Sequence, residues 1–255
     1  MQNMKTLTIK RNKFGVDIQE VYFQPNGCPD TDCDLRVDFC VPEPSKHASR
    51  ALTAVVDLNE DSEAILAGFR RSYRREIQTG SDRDEFALNF THDPRPPDIH
   101  RFCEAYDQFA QQQGLPLCNR NKLLFFAGQG ALMLSSVRCA HSAHVLCQHA
   151  FIGDGRRARL LYSISSFRLY QYNSHQRNRI GRAHRLLHWA DMNHFKQLDY
   201  TDYDLGGMAV RQNARLENIN HFKRGFGGQE RHEYVNFTPH NLKGWVAMQY
   251  LMRKL

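Results

Sequence analysis

Apolar and polar positions alternate with a period of two through the first sixty residues: Leu7-Thr8-Ile9, Val16-Asp17-Ile18, Leu35-Arg36-Val37-Asp38-Phe39 and Leu52-Thr53-Ala54-Val55-Val56. This alternation predicts short strands, separated by turn-forming groups such as Pro25-Asn26-Gly27 and Pro42-Glu43-Pro44. The period then changes. Ile65, Phe69 and Tyr73 share one helical face, Asp61 or Ser62 offers an N-cap and Gly80 lies beyond, which predicts a helix over 61–78. A strand over 85–90 meets the breaker Asp93-Pro94-Arg95-Pro96-Pro97, and a helix over 98–113 stops at Gly114-Leu115-Pro116. Three strand-like segments follow, 131–139, 144–152 and 159–166, with Gly153-Asp154-Gly155 as a tight turn.

From Gly181 onward, Ala183, Leu186, Leu187, Ala190 and Phe195 fit one face of a helix. A strand-like run from Tyr200 to Leu205 ends in Gly206-Gly207. A short helix over 216–222, the turn Gly225-Phe226-Gly227-Gly228, a strand over 233–237 and a helix over 242–255 complete the chain. Hairpins first and strands alternating with helices later predict a mixed α/β (α+β) fold with one central sheet. The expected division is a strand-rich segment with a basic helix, 1–80, and a larger domain, 81–255.

The 255 residues are 41% hydrophobic and 24% charged, which excludes a disordered or collagen-like chain. The most apolar charge-free stretch runs from Leu123 to Val137 and is broken by Gly128-Gln129-Gly130. It falls short of the roughly 20 residues of a membrane-spanning helix, so no transmembrane segment is expected. Residues 1–6 hold no apolar leader, which points to a cytoplasmic protein, and seven cysteines cannot all pair, which points to free thiols. Cys28 and Cys33 lack the second ligand pair of a structural zinc site, and no metal is expected. Thirty-four Lys and Arg against 27 Asp and Glu leave a formal charge of +7, favouring anionic partners: a phosphorylated cofactor, a nucleic acid or, peripherally, a membrane surface. Positive charge concentrates in Arg70-Arg71-Ser72-Tyr73-Arg74-Arg75 and between Arg156 and Arg185; a solvated face is the alternative use for such runs.

The strongest local feature is the run Gln176-Arg177-Asn178-Arg179-Ile180-Gly181-Arg182-Ala183, expected as a turn opening a helix at Gly181. Unpaired N–H groups and the positive helix end there would suit a pyrophosphate, with Arg177, Arg179 and Arg182 adding charge and Gly181 and Ala183 allowing close approach. An ordinary basic loop is the alternative. Candidate general bases are His149, Asp154, His184 and Tyr234. His184 and His188 share a helix face, but no Glu follows the first, so the zinc-protease motif is absent, and such pairs more often pack than ligate. Ser163, Ser165 and Ser166 lack a Gly-x-Ser-x-Gly context, which argues against a covalent serine mechanism.

Three motifs together resemble the GNAT-fold acyltransferases, in particular their FemAB branch of peptidoglycan-bridge enzymes: Gly181-Arg182-Ala183-His184-Arg185-Leu186-Leu187-His188-Trp189, Tyr203-Asp204-Leu205-Gly206-Gly207 and Phe222-Lys223-Arg224-Gly225-Phe226-Gly227-Gly228. The match spans about 120–240. It implies a GNAT-like, mostly antiparallel sheet flanked by helices over 81–255, with the donor's phosphates over 178–183, where Asn178 replaces the usual Gln or Arg. It also implies acyl-CoA (acetyl-CoA) as donor and a small-molecule or sugar-precursor acceptor from the cell envelope, attacked directly through an amine or hydroxyl. Lys223 would then stabilise the developing oxyanion, or alternatively salt-bridge at a helix end. Asp204 would orient the acceptor, or cap the turn before Gly206. Two alternatives accompany this reading. One is an aminoacyl-tRNA-dependent transferase of FemAB type, tracking phosphates through Arg70–Arg75 in a single catalytic domain. The other is a non-catalytic nucleic-acid- or protein-binding module.

Overall fold

The computed structural model describes residues 5–24, 32–142, 144–168, 173–209 and 214–253. The expected turn at 25–27 and one half of the Cys28–Cys33 pair lie outside them. Ten strands form one sheet in the order β1 (Leu7–Lys13), β2 (Val16–Tyr22), β3 (Leu35–Val41), β10 (Gln229–Pro239), β4 (Ala48–Asp57), β9 (Asp202–Met208), β8 (Arg157–Ser165), β7 (Val145–Gly153), β6 (Leu132–Cys139), β5 (Phe86–Thr91). All neighbours are antiparallel except β2–β3 and β8–β9. Because β10 lies between β3 and β4, the strands of the first eighty residues and the last strand share hydrogen bonds within one sheet.

Helices cover both faces. On one side α1 (Ser62–Ala67), α2 (Arg71–Arg83), α5 (Ser174–Gln197) and α6 (Ala214–Arg224) accompany a core that includes Val56, Phe69, Phe151, Leu186, Tyr203, Leu205 and Phe226. On the other, α3 (Pro96–Gln113) and α4 (Arg120–Gly128) enclose Tyr22, Ile99, Phe102, Leu123, Phe126, Ala150 and Ile152. The C-terminal α7 (Leu242–Met252) packs Met248 against Leu35, Val37 and Phe237 while leaving Leu242, Trp245, Val246 and Tyr250 exposed. Among the described residues no helix is long and apolar enough to cross a membrane.

The helix expected over 61–78 is two helices. Asp61 caps α1 by accepting from the Ala64 N–H at 2.7 Å, but α1 ends at Gly68, and Arg70 takes an extended ψ of 143°. Tertiary contact explains the break: the Arg70 N–H donates to Gly225 O at 2.9 Å, and Phe69 packs edge-on against Trp189 and Phe226. Gly227, at φ +71°, comes so near that a Cβ there would lie 2.5 Å from Gly68 O. The Gly225–Gly228 turn is thus the seat of the α1–α2 elbow. The pairing also breaks where the site forms. β8 and β9 are in register only over Arg157↔Asp202, Ala158↔Tyr203 and Arg159↔Asp204, although β8 continues to Ser165 and β9 to Met208. A register shift on β9 against β4 follows at once, and Gly206 sits in it at φ +78°. Such a bulge bends its strand, and the β8–β9 ladder ends just before it.

Candidate functional site

The gap in the β8–β9 ladder begins beyond Arg159 and Asp204; Leu160 and Ser163 of β8 and Gly206 and Gly207 of β9 flank it, with His184 of α5 reaching Ser163 and Lys223 of α6 reaching Gly207. A Cβ on Gly206 would lie 2.6 Å from Leu160 O and 3.7 Å from Lys223 Nζ, so the strand crossing demands glycine. Lys223, in the last turn of α6, is half-buried and donates to Gly207 O at 2.7 Å. Burial pushes its ammonium down to about 8, a shift that Asp204 opposes and Arg159 reinforces.

Asp204 is fully buried and crowded with donors. The hydroxyl of Thr53 and the Gly206 N–H (2.8 Å) donate to Oδ1; Arg157 Nε (3.0 Å) and Nη2 (2.5 Å) and Arg159 Nη1 (2.6 Å) donate to Oδ2. Burial alone would raise its pKa, yet Arg159, Arg157, Thr53 and the Gly206 amide together hold it below the ordinary value. Glu233 of β10 pairs with the same two arginines. Asp204 therefore ties β4, β8 and β9 together under the gap, and its oxygens have no vacancy for an acceptor. The expected turn cap is present as well, through the Gly206 amide.

His149 is fully buried on β7, opposite Ser163 in the β7–β8 register. Its Nδ1 donates to Asp191 Oδ2 of α5 at 2.7 Å, and its Nε2 lies 3.1 Å from Nε2 of His184. The same His184 nitrogen is 3.1 Å from Ser163 Oγ, and the half-buried His184 ring stacks on Phe222 at the gap. Tyr234, on β10, shares no hydrogen bond or ring contact with Lys223, Asp204 or His184 among the described residues. Asp154 accepts from the N–H groups of Arg156 (2.8 Å) and Arg157 (2.6 Å) in its turn. It borders a cavity of about 580 Å³ at the paired end of β8–β9, away from Lys223.

The phosphate turn is corrected by the structure. Residues 178–183 lie inside α5, which begins at Ser174, seven residues before the expected start. Asn173 and Gln176 form a capping box that pulls the start forward: Gln176 N–H donates to Asn173 Oδ1 (2.9 Å) and Asn173 N–H to Gln176 Oε1 (3.0 Å). The amides of 178–183 therefore bond within the helix rather than facing a ligand. Arg182 forks onto Asp84 (2.5 and 2.8 Å), Arg179 donates to Asp84 O (2.5 Å), and Ala183 is buried against Val137, Leu146 and Leu187. Gly181 O accepts from Arg185 at 2.8 Å, while Arg177 and Asn178 are exposed. Half of the basic run on α2 is likewise committed internally: Arg70 to His221 and Arg74 to the carbonyls of Ala67 and Phe69, with Arg71 and Arg75 exposed.

No known sequence family and no curated protein matches the chain. Solved structures do. FemX superposes with a TM-score of 0.61 at 12% identity, over 85% of this chain and 68% of that one. The C-terminal domain of a protein assigned as a lysylphosphatidylglycerol synthetase from Agrobacterium fabrum gives 0.53 at 13% identity (91% and 81%). L-PGS from Bacillus licheniformis gives 0.51 at 11% identity (86% and 72%). The chain thus shares its fold with FemX and these two other structures, and at these identities the likeness is one of fold alone.

Proposed function

We propose that the protein transfers an activated acyl group directly onto an amine or hydroxyl within the β8–β9 gap, as an acyl- or aminoacyltransferase. The observation that carries this is Lys223: an ammonium held at the gap by a backbone carbonyl, depressed by burial and set over a bulge that only glycine fits. A cation fixed in a partly dehydrated cleft stabilises the oxyanion that forms when a carbonyl is attacked, and pays little reorganisation at that moment. Attack needs no covalent enzyme intermediate, and no serine stands in a nucleophile elbow.

Two donor classes fit this chemistry, and one observation favours the second. The acyl-CoA reading relied on a pyrophosphate turn at 178–183, which is helix with Arg179 and Arg182 engaged by Asp84. An aminoacyl ester needs no such cradle. Lysylphosphatidylglycerol, the compound in the name of the Agrobacterium fabrum relative in fold, is itself an aminoacyl ester of a lipid hydroxyl. We therefore place an aminoacyl donor first and acyl-CoA second, with a cell-envelope precursor as acceptor. The test is a thermal-shift and transfer assay against aminoacyl-tRNA, acetyl-CoA and longer acyl-CoAs. A true donor at about 100 times its Kd adds roughly 2.7 kcal/mol of stability and yields product at a rate that falls sharply when Lys223 is replaced. If no donor of either class binds, the transferase reading fails.

A further inference from the structure

We propose that His149, His184 and His188 form a site for a divalent transition-metal ion of the zinc type, on the wall of the β8–β9 gap. The inference does not rest on the transferase reading. Three imidazoles converge from two elements, His149 from β7 and His184 and His188 from successive turns of α5, with one ligand nitrogen of each within 4.8 Å of the others. His149 Nε2 and His184 Nε2 are 3.1 Å apart. Two nitrogens each about 2.0–2.1 Å from one zinc ion would be separated by a distance of that order.

The surroundings set the tautomers in the manner of a metal site. His149 donates its Nδ1–H to Asp191, which fixes Nε2 as the lone-pair atom; this carboxylate–histidine arrangement holds a ligand ring in place and raises its basicity. His188 Nδ1 lies 2.7 Å from Tyr203 OH, an oxygen contact of the same kind. Ser163 Oγ, 3.1 Å from His184 Nε2, is the oxygen placed to approach the fourth position from the gap.

A second observation points the same way. Asp191 is 1% exposed; its side-chain partners are His149 and the Tyr203 hydroxyl, and among the described residues no Lys or Arg forms an ion pair with it. A dication bound by the three imidazoles would place its charge one ring away from this buried carboxylate.

The test uses the purified full chain. After dialysis against metal-free buffer it is titrated with cobalt(II), read by ligand-field absorption, and with zinc, read by elemental analysis. Expected are one equivalent per chain and a four-coordinate cobalt spectrum. His184→Asn should abolish stoichiometric uptake with the circular dichroism unchanged. Asp191→Asn should weaken binding about 10–100-fold. A folded wild-type chain that takes up no metal would mean a plain hydrogen-bonded histidine network and overturn the proposal. So would equal uptake by the wild type, His184→Asn and His188→Gln.

Discussion

Lys223 Nζ is fastened to Gly207 O at 2.7 Å, so the cation of α6 is held by the very strand whose bulge opens the gap. The motif around Lys223 and the glycine pair of β9, sixteen residues apart in sequence, are in this way two halves of one device. If the ammonium stabilises an oxyanion, replacing Lys223 by Ala should lower kcat by about 10²–10³, the usual cost of one such donor, with the fold intact by circular dichroism. Unchanged turnover would remove Lys223 from the mechanism.

The same cation sets a pH dependence. Its folded pKa, pushed by burial to about 8, lies below the ordinary lysine value, and the charged groups facing it are Asp204 and Arg159 from the sheet. Activity that needs the ammonium is full below that value and declines as pH rises through about 8. Lys223→Arg keeps a permanent charge and should lose the alkaline limb even where its rate is lower. For folding the sign is reversed: the native state binds the proton less tightly than the unfolded chain, so this group's contribution to stability rises as pH increases from about 8 toward the ordinary lysine pKa. A wild-type rate profile flat from pH 7 to 10 would contradict the assignment.

Gly206→Ala tests the bulge. The residue sits at φ +78°, and an added Cβ would press within 2.6 Å of Leu160 O. The strained backbone and the contact together should cost on the order of 1–3 kcal/mol. In a chain of this size that lowers Tm by about 2–4 °C per kcal/mol, measurable by calorimetry. Gly207→Ala, with open space around its Cβ position, should be close to neutral and serves as the control.

Much of the architecture is legible from periodicity because one residue's choice there repeats over a whole element. The β6, β7 and β8 strands and the α3 helix fall within two residues of their expected limits. The failures have local causes that pattern alone conceals. The Asn173–Gln176 capping box is the sequence signal for the true start of α5, seven residues before the glycine that mimics a helix-opening turn. Asn119, which accepts from the Lys122 N–H at 3.1 Å, marks the start of α4, a helix hidden in a run weighed only as a membrane span. The α1–α2 elbow is set by Gly225 and Phe226, some 155 residues away, and no window along the chain contains both. The histidine cluster has the same origin: i, i+4 spacing joins His184 to His188, but only the sheet brings His149 to them.

Arg182 is occupied by a forked pair to Asp84, so it anchors α5 to the end of α2 rather than waiting for a phosphate. Arg182→Ala should leave donor affinity unchanged within about twofold and cost roughly 1–3 kcal/mol of stability, because the buried Asp84 loses its forked partner and keeps only the longer pair with Arg179. Isothermal titration with whichever donor binds, beside a urea melt, separates the two effects. A loss of affinity without a loss of stability would restore the phosphate role of this turn.

Asp204 gives the sharpest stability test. Two arginines, a hydroxyl and an amide converge on a carboxylate with no exposure, and Glu233 alone cannot balance both guanidinium groups. Asp204→Asn removes the charge but keeps the shape, so the cost is that of a broken buried ion cluster, about 3–5 kcal/mol. The linkage sign follows from the lowered carboxyl pKa. Its contribution is complete above the ordinary aspartate value and is lost as pH falls through the folded one, so the wild type should show an acid-side decline in stability that Asp204→Asn lacks. Denaturant midpoints measured from pH 7 down to pH 3 for both proteins decide it: parallel curves would mean that Asp204 is not the carboxylate holding β4, β8 and β9 together.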